Sequence, residues 1–276
     1  MSKIFFSDLD GTLLHNRRGV LLPSIDDEKA IKTFVKSDNT FIVATGRAHH
    51  HILKLMQNID VPCVYGIAMN GAVIIKDAEI IKCTPLPTKD IKLVWEVIKK
   101  SSAQIDLAAL VLISGTLFVK ERTLHGWLIK NIYYRLRRRK QLMWKFDTLE
   151  KLDATNRTVG KILIHSKKKS EIEKLYQELI AKFGSQFSIF IVGSNEIEIC
   201  EKTVNKFQAV TYIAELEQKS LKEIAFVGDS GNDLLALQKL ENSYIMANAD
   251  EKFKEPQMKI VTTVAEAIND FAGKND

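Results

Sequence analysis

A chain of 276 residues exceeds the usual single domain, so it holds either one large domain or two unequal ones. Its 46% hydrophobic and 27% charged residues exclude disorder, and its longest unbroken apolar run, seven residues at 107–113, is too short to span a bilayer. The net charge of +6 invites a nucleic-acid partner, although no recognised nucleic-acid motif accompanies it.

The chain opens with an apolar strand at 4–7 and meets Asp8 at once, which leaves no space for a leader's apolar stretch. Helix follows over about 24–36, with Ser24 as its expected N-cap and acidic residues in its first turn. A β-branched strand at 40–44, a helix at 49–56 and a strand at 63–67 continue the alternation. Beyond Pro85 and Pro87 the texture changes. A helix at 89–100, two strands around Ser114-Gly115, a basic helical stretch at 124–145, a strand at 161–165, a helix at 170–183 and a strand at 187–192 suggest an α+β insert. Strands at 196–200, 223–227, 243–246 and 259–261, with helices at 204–217 and 264–271, then resume the first rhythm.

These elements predict an α/β fold in which a parallel-sheet core, 1–83 and 195–276, is interrupted by an inserted domain at 84–194. Charge divides along the same line. Residues 84–194 hold 21 Lys and Arg against 10 Asp and Glu, while the remainder holds 19 against 24. Cys63, Cys83 and Cys200 show neither metal spacing nor an even disulfide set, so a reduced, cytoplasmic protein is expected.

Three strand ends carry the chemistry. Asp8-Leu9-Asp10-Gly11-Thr12 closes the first strand, and carboxylates two apart on a strand share a face. So close together they repel, a conflict that a hard, oxygen-seeking cation such as Mg²⁺ resolves. Thr45-Gly46-Arg47 ends another strand with a hydroxyl and a glycine whose exposed amides suit phosphate oxygens. Gly228-Asp229-Ser230-Gly231-Asn232-Asp233 adds two carboxylates after the apolar Ala225-Phe226-Val227. Ligands of open α/β sheets bind beyond the carboxyl ends of strands, where all three segments lie.

This pattern resembles the haloacid dehalogenase-like (HAD) superfamily and, through Asn70-Gly71-Ala72 and Asn248-Ala249, its Cof-type class IIB phosphatases. Asp8 to Thr12 matches the first motif, Thr45 the second and Gly228 to Asp233 the fourth. Lys206 matches the third, although Phe207 stands where the family often has glycine. Lys202 is the rival for that role, and Lys206 is preferred because it directly precedes a helical pattern. The resemblance covers both parts of the core and implies a HAD-like Rossmannoid core with an α/β cap between motifs two and three. It implies that Asp8 is the nucleophile forming an aspartyl-phosphate and that Asp10 is the general acid and base. Asp8, the Asp10 backbone carbonyl and Asp229 would hold Mg²⁺, with Asp233 and Asn232 supporting. Leu9 and Gly46 amides, Thr45, Asn232 and Lys206 would hold the phosphoryl oxygens. The implied activity is Mg²⁺-dependent hydrolysis of small phosphomonoesters such as sugar phosphates.

Other signals weigh less. His49-His50-His51 cannot chelate one ion from a helix, because neighbouring residues point about 100° apart. No nucleotide P-loop pattern occurs. Leu124, Trp127, Leu128, Ile132 and Leu136 have the spacing of a helix's core face. The basic run Arg135 to Lys140 reads as a solvated helix face, a lure for anionic substrates or a nucleic-acid surface. Two rivals to the phosphatase remain open at this point, a phosphosugar mutase sharing the aspartyl-phosphate step and an RNA- or anion-binding protein acting through the basic insert.

Overall fold

The computed structural model describes residues 2–17, 20–114, 117–121, 124 and 158–274. The basic run at 135–140 and most of the expected 124–145 helix lie outside them. The chain divides into two compact units, Met1–Cys83 with Asn205–Asp276, and Thr84–Val204.

The first unit is built on an eight-stranded sheet. Its strands are β1 (Ile4–Ser7), β4 (Thr40–Ala44), β5 (Tyr65–Ala68), β6 (Val73–Lys76), β7 (Glu79–Cys83), β13 (Ile224–Gly228), β14 (Asn242–Met246) and β15 (Lys259–Val261), in the order β15-β14-β13-β1-β4-β5-β6-β7. Six strands from β15 to β5 run parallel, and at one edge β6 runs antiparallel to β5 and β7 antiparallel to β6. The central strands are buried on both faces, as their continuous apolar sequences require. Alternation along β1 shows how the layers form. Phe5 packs among Phe34, Phe41, Tyr244 and Phe271 on one face, with ring centroids 6.1–6.2 Å away. Phe6, one residue on, joins Ile42, Val210, Ile213, Phe226 and Leu237 on the other. Each buried phenyl ring contributes about 1.5–3 kcal/mol relative to exposure.

Helix α1 (Ile25–Lys36) starts where Ser24 accepts a hydrogen bond from the Asp27 amide, 3.0 Å away. α2 (His49–Asn58) follows β4, and the 3₁₀ turn Met69–Gly71 follows β5. α5 (Lys206–Leu216) is capped by Asn205, α6 (Leu234–Lys239) follows β13, and α7 (Val264–Gly273) is capped by Thr263. Two hairpins add to the predicted elements. One is β2 (His15–Arg17) with β3 (Val20–Leu22), and the other is β6 with β7, which turns through Asp77 and Ala78 at φ of 49° and 68°. Hairpin turns with two positive φ values favour Asn-Gly, so Asp-Ala carries no such signal.

The second unit is an antiparallel sheet of order β11-β12-β10-β8-β9, formed by β8 (Leu107–Leu112), β9 (Leu117–Glu121), β10 (Val159–His165), β11 (Phe187–Val192) and β12 (Glu196–Glu201). α3 (Thr88–Lys100) and α4 (Lys169–Phe183) share a core with Ile162, Ile164, Ile197 and Ile199. Here the structure corrects the predicted boundary at 194. β12 pairs with β10 and β11, so the second unit extends to Val204 and takes Glu196, Glu198 and Glu201 with it. Its Glu-Ile alternation suits an antiparallel strand, and its one Glu away from the ends, Glu198, is buried through an ion pair with Lys161 of β10.

Candidate active site

β1 lies between β4 and β13 in parallel register, with Ser7 opposite both Val43 and Val227. The next turn of each strand therefore opens on the same edge of the sheet, carrying Asp8, Thr45 and Asp229. The Asp8 amide donates to the Val227 carbonyl at 3.0 Å, which extends the ladder one residue and holds the loop down.

Lys206, the first residue of α5, is fully buried beneath these loops. Its ammonium donates to Asp8 Oδ1 at 2.6 Å and to Asp233 Oδ1 at 2.5 Å. Asp233 Oδ2 accepts the Asp229 and Ser230 amides at 3.2 and 3.1 Å, so that side chain braces its own loop as well as the lysine. Asp8, Asp229 and Asp233 each place one carboxylate oxygen within 4.8 Å of the other two. Gly11 and Gly228 make this crowding possible. Gly11 has φ of +82° and a Cβ there would collide with Asp229 Oδ2, while a Cβ on Gly228 would strike the Asp233 carboxyl.

The electrostatics follow from that packing. Burial, with Asp233 and Asp229 adding to it, pushes the Asp8 carboxyl well above its ordinary range despite Lys206. Burial and the neighbouring Asp233 push Asp229 up to about 7. For Lys206, burial opposes the charge, but Asp233 and Asp8 outweigh it and hold the ammonium above the usual lysine value. Three crowded carboxylates thus face one ammonium. Asp8 Oδ2 and Asp229 Oδ2 accept no donor among the described residues, while Asp229 Oδ1 takes only Thr12 Oγ1 at 3.3 Å. Surplus negative charge on oxygen-only donors fits a hard divalent cation, which this Asp cluster could hold.

Thr45 is buried, and its Oγ1 accepts the Arg47 amide at 3.1 Å. Its carbonyl accepts the Asn70 amide at 3.0 Å, and Asn70 Oδ1 in turn accepts Asn232 Nδ2 at 2.9 Å. This chain ties the second strand end to the third. Asn70 sits at φ 59°, a left-handed conformation that asparagine tolerates better than most residues. Leu9 is buried in the first turn, its carbonyl accepting from Leu13 and Leu14, and Gly46 lies between Thr45 and Arg47.

Asp10 is placed apart from the carboxylate cluster. Arg47 Nε donates to Asp10 Oδ2 at 2.7 Å and Arg47 Nη2 pairs with Asp10 Oδ1. The expected metal contact of Asp10, through its backbone carbonyl, does not involve this side chain. Lys202 is also elsewhere, its ammonium donating to the Gly184 carbonyl at 2.6 Å. The histidines at 49–51 begin α2 and join no ligating cluster among the described residues. Sequence reasoning assigned no role to Arg47 or Asn70, although both stand in quoted motifs. Their side-chain partners lie 37 and 162 positions away in the chain.

The haloacid dehalogenase-like hydrolase family profile matches residues 5–269. The Mycoplasma genitalium protein MG125, provisionally named a phosphatase, is 26% identical over 259 residues, covering 90% of this chain and 86% of its own. The Bacillus subtilis protein YwtE, named a 5-amino-6-(5-phospho-D-ribitylamino)uracil phosphatase, is 24% identical over 292 residues, covering 90% and 88%. The solved structure of BT4131, titled a HAD subclass IIB sugar phosphatase, superposes with a TM-score of 0.75 at 19% identity, covering 98% of this chain and 99% of that one.

Proposed function

The chain belongs to the haloacid dehalogenase-like hydrolases, and on that premise we propose that it is a Mg²⁺-dependent phosphatase acting on small phosphomonoesters. Sugar phosphates and related phosphorylated metabolites are the substrate class, in keeping with the names carried by YwtE and BT4131. The observation that carries the reading is the buried Lys206 ammonium bridging Asp8 and Asp233, with Asp229 in the same cluster.

Asp8 attacks phosphorus through the oxygen not held by Lys206 and forms an aspartyl-phosphate. Lys206 keeps the nucleophile oriented and offsets negative charge on the transferring group. Thr45, the Leu9 and Gly46 amides and Asn232 hold the phosphoryl oxygens, with Asn70 fixing the Asn232 amide from behind. Asp10 donates a proton to the leaving oxygen, then accepts one from the water that cleaves the intermediate. Mg²⁺ would be held by Asp8, Asp229 and the Asp10 backbone carbonyl, with Asp233 bracing the loop. When bound it supplies positive charge to the crowded carboxylates and to the phosphoryl oxygens.

The test is Asp8→Asn, assayed with p-nitrophenyl phosphate and Mg²⁺ while thermal unfolding monitors the fold. Phosphate release falls to background in a folded variant. Retained turnover overturns the mechanism.

A further inference from the structure

Among the described residues the guanidinium of Arg47 hydrogen-bonds neither the carboxylate cluster nor Lys206. Its backbone is fixed on both sides, the amide donating to Thr45 Oγ1 at 3.1 Å and the carbonyl accepting from Met69 at 2.9 Å. From that anchor its guanidinium reaches across to the first strand's loop and engages both oxygens of Asp10. The arginine side chain is 22% exposed and the aspartate 51%. A guanidinium fork fixes the plane of a carboxylate in a way that a lysine point charge does not. It occupies one lone pair on each oxygen, which leaves the outward pair on each free to carry or accept a proton.

A proton donor must stand within about 2.6–3.2 Å of the atom it serves. A half-exposed aspartate on a loop has side-chain freedom that works against this. We propose that Arg47 is the positioning residue for the Asp10 carboxyl, holding it in the orientation from which it serves the leaving oxygen. The inference rests on the phosphatase reading above. In the first step the Asp8–phosphorus bond forms, the bond from phosphorus to the leaving oxygen breaks, and the Asp10 proton passes to that oxygen. In the second, water attacks phosphorus and gives its proton to Asp10, and the Asp8–phosphorus bond breaks. Arg47 forms and breaks no bond in either step.

Two esters sharing one phosphoryl group separate this role from phosphate binding. Phenoxide leaves poorly without a proton, and p-nitrophenoxide leaves readily. For Arg47→Ala in the full chain with Mg²⁺, kcat/KM for phenyl phosphate falls about 100-fold, and the loss on p-nitrophenyl phosphate is about tenfold smaller. Added guanidinium ion narrows that gap, and Arg47→Lys recovers only part of it because one ammonium cannot reproduce the fork. Equal losses on the two esters place Arg47 on the phosphoryl group and overturn the inference, as does an unaltered rate on phenyl phosphate. Arg47→Lys keeps the question answerable should Arg47→Ala fail to fold. Asp8→Asn run beside them separates the failures. Turnover in that variant fells the hydrolase reading itself, whereas a dead Asp8→Asn with equal Arg47→Ala losses fells only the role of Arg47.

Discussion

Removing the Asp229 charge should stabilise the metal-free protein, even though the residue belongs to the site. Burial and Asp233 raise the Asp229 carboxyl from its ordinary 3.8 to about 7. A carboxyl raised in the folded state binds its proton more tightly there than in the unfolded chain, so folding is unpenalised below pH 4. As pH climbs from 4 towards 7 the folded state must release that proton against its surroundings, and stability is lost. Above pH 7 the full cost applies, about 4 kcal/mol as an upper bound at 1.36 kcal/mol per pH unit. Partial solvent access reduces the expected gain in Asp229→Asn to about 1–3 kcal/mol at pH 8.

The measurement is urea unfolding of wild type and Asp229→Asn in EDTA between pH 4 and 9. The variant should be the more stable at pH 8 and the two should converge near pH 4. Mg²⁺ should then close the gap from the other side, stabilising wild type by mass action and the variant far less. A variant less stable than wild type at pH 8 in EDTA would refute the reasoning. So would a difference that ignores pH, since the penalty argued here is a titrating charge and not a packing defect.

Two further perturbations test the scaffold. Gly11→Ala places a methyl group against Asp229 Oδ2 at a φ of +82°, so Mg²⁺ affinity read by thermal-shift titration should fall at least about tenfold; unaltered affinity would show that the loop yields without consequence. Asp27 is fully buried and accepts the Ala265 amide at 2.8 Å and the Ser24 hydroxyl at 2.6 Å, which ties the start of α1 to the first turn of α7. Asp27→Ala leaves both donors without that acceptor and should cost about 2–4 kcal/mol by urea unfolding, with kcat/KM on p-nitrophenyl phosphate nearly unaffected in the folded fraction.

Much of this protein is readable residue by residue because the governing interactions are local. Ser24 caps α1 through an amide three residues on, and apolar strands such as 4–7 and 224–228 announce a sheet buried on both faces. The carboxylates at Asp8 and Asp229 stand out because they interrupt such runs where strands end. Local reading failed where the signal was weak or shared. Asp77-Ala78 turns a hairpin without the usual turn residues, and the short strand at 196–201 looks alike in either domain until its partners are known. The boundary at Val204 is a fact of pairing, since β12 joins whichever sheet offers edges for its backbone groups.

The site divides in the same way. The sequence alone determined which residue types were present at the strand ends and that a lysine near 206 could serve them. Only the tertiary structure decided that Lys206 and not Lys202 reaches Asp8 across 198 positions, that Asn70 holds Asn232, and that Asp10 turns to Arg47 while Asp233 turns to the lysine. Such pairings depend on strand order. With β1 seated between β4 and β13, loops from distant parts of the chain share one edge, and burial there makes each charge take the nearest partner that can satisfy it.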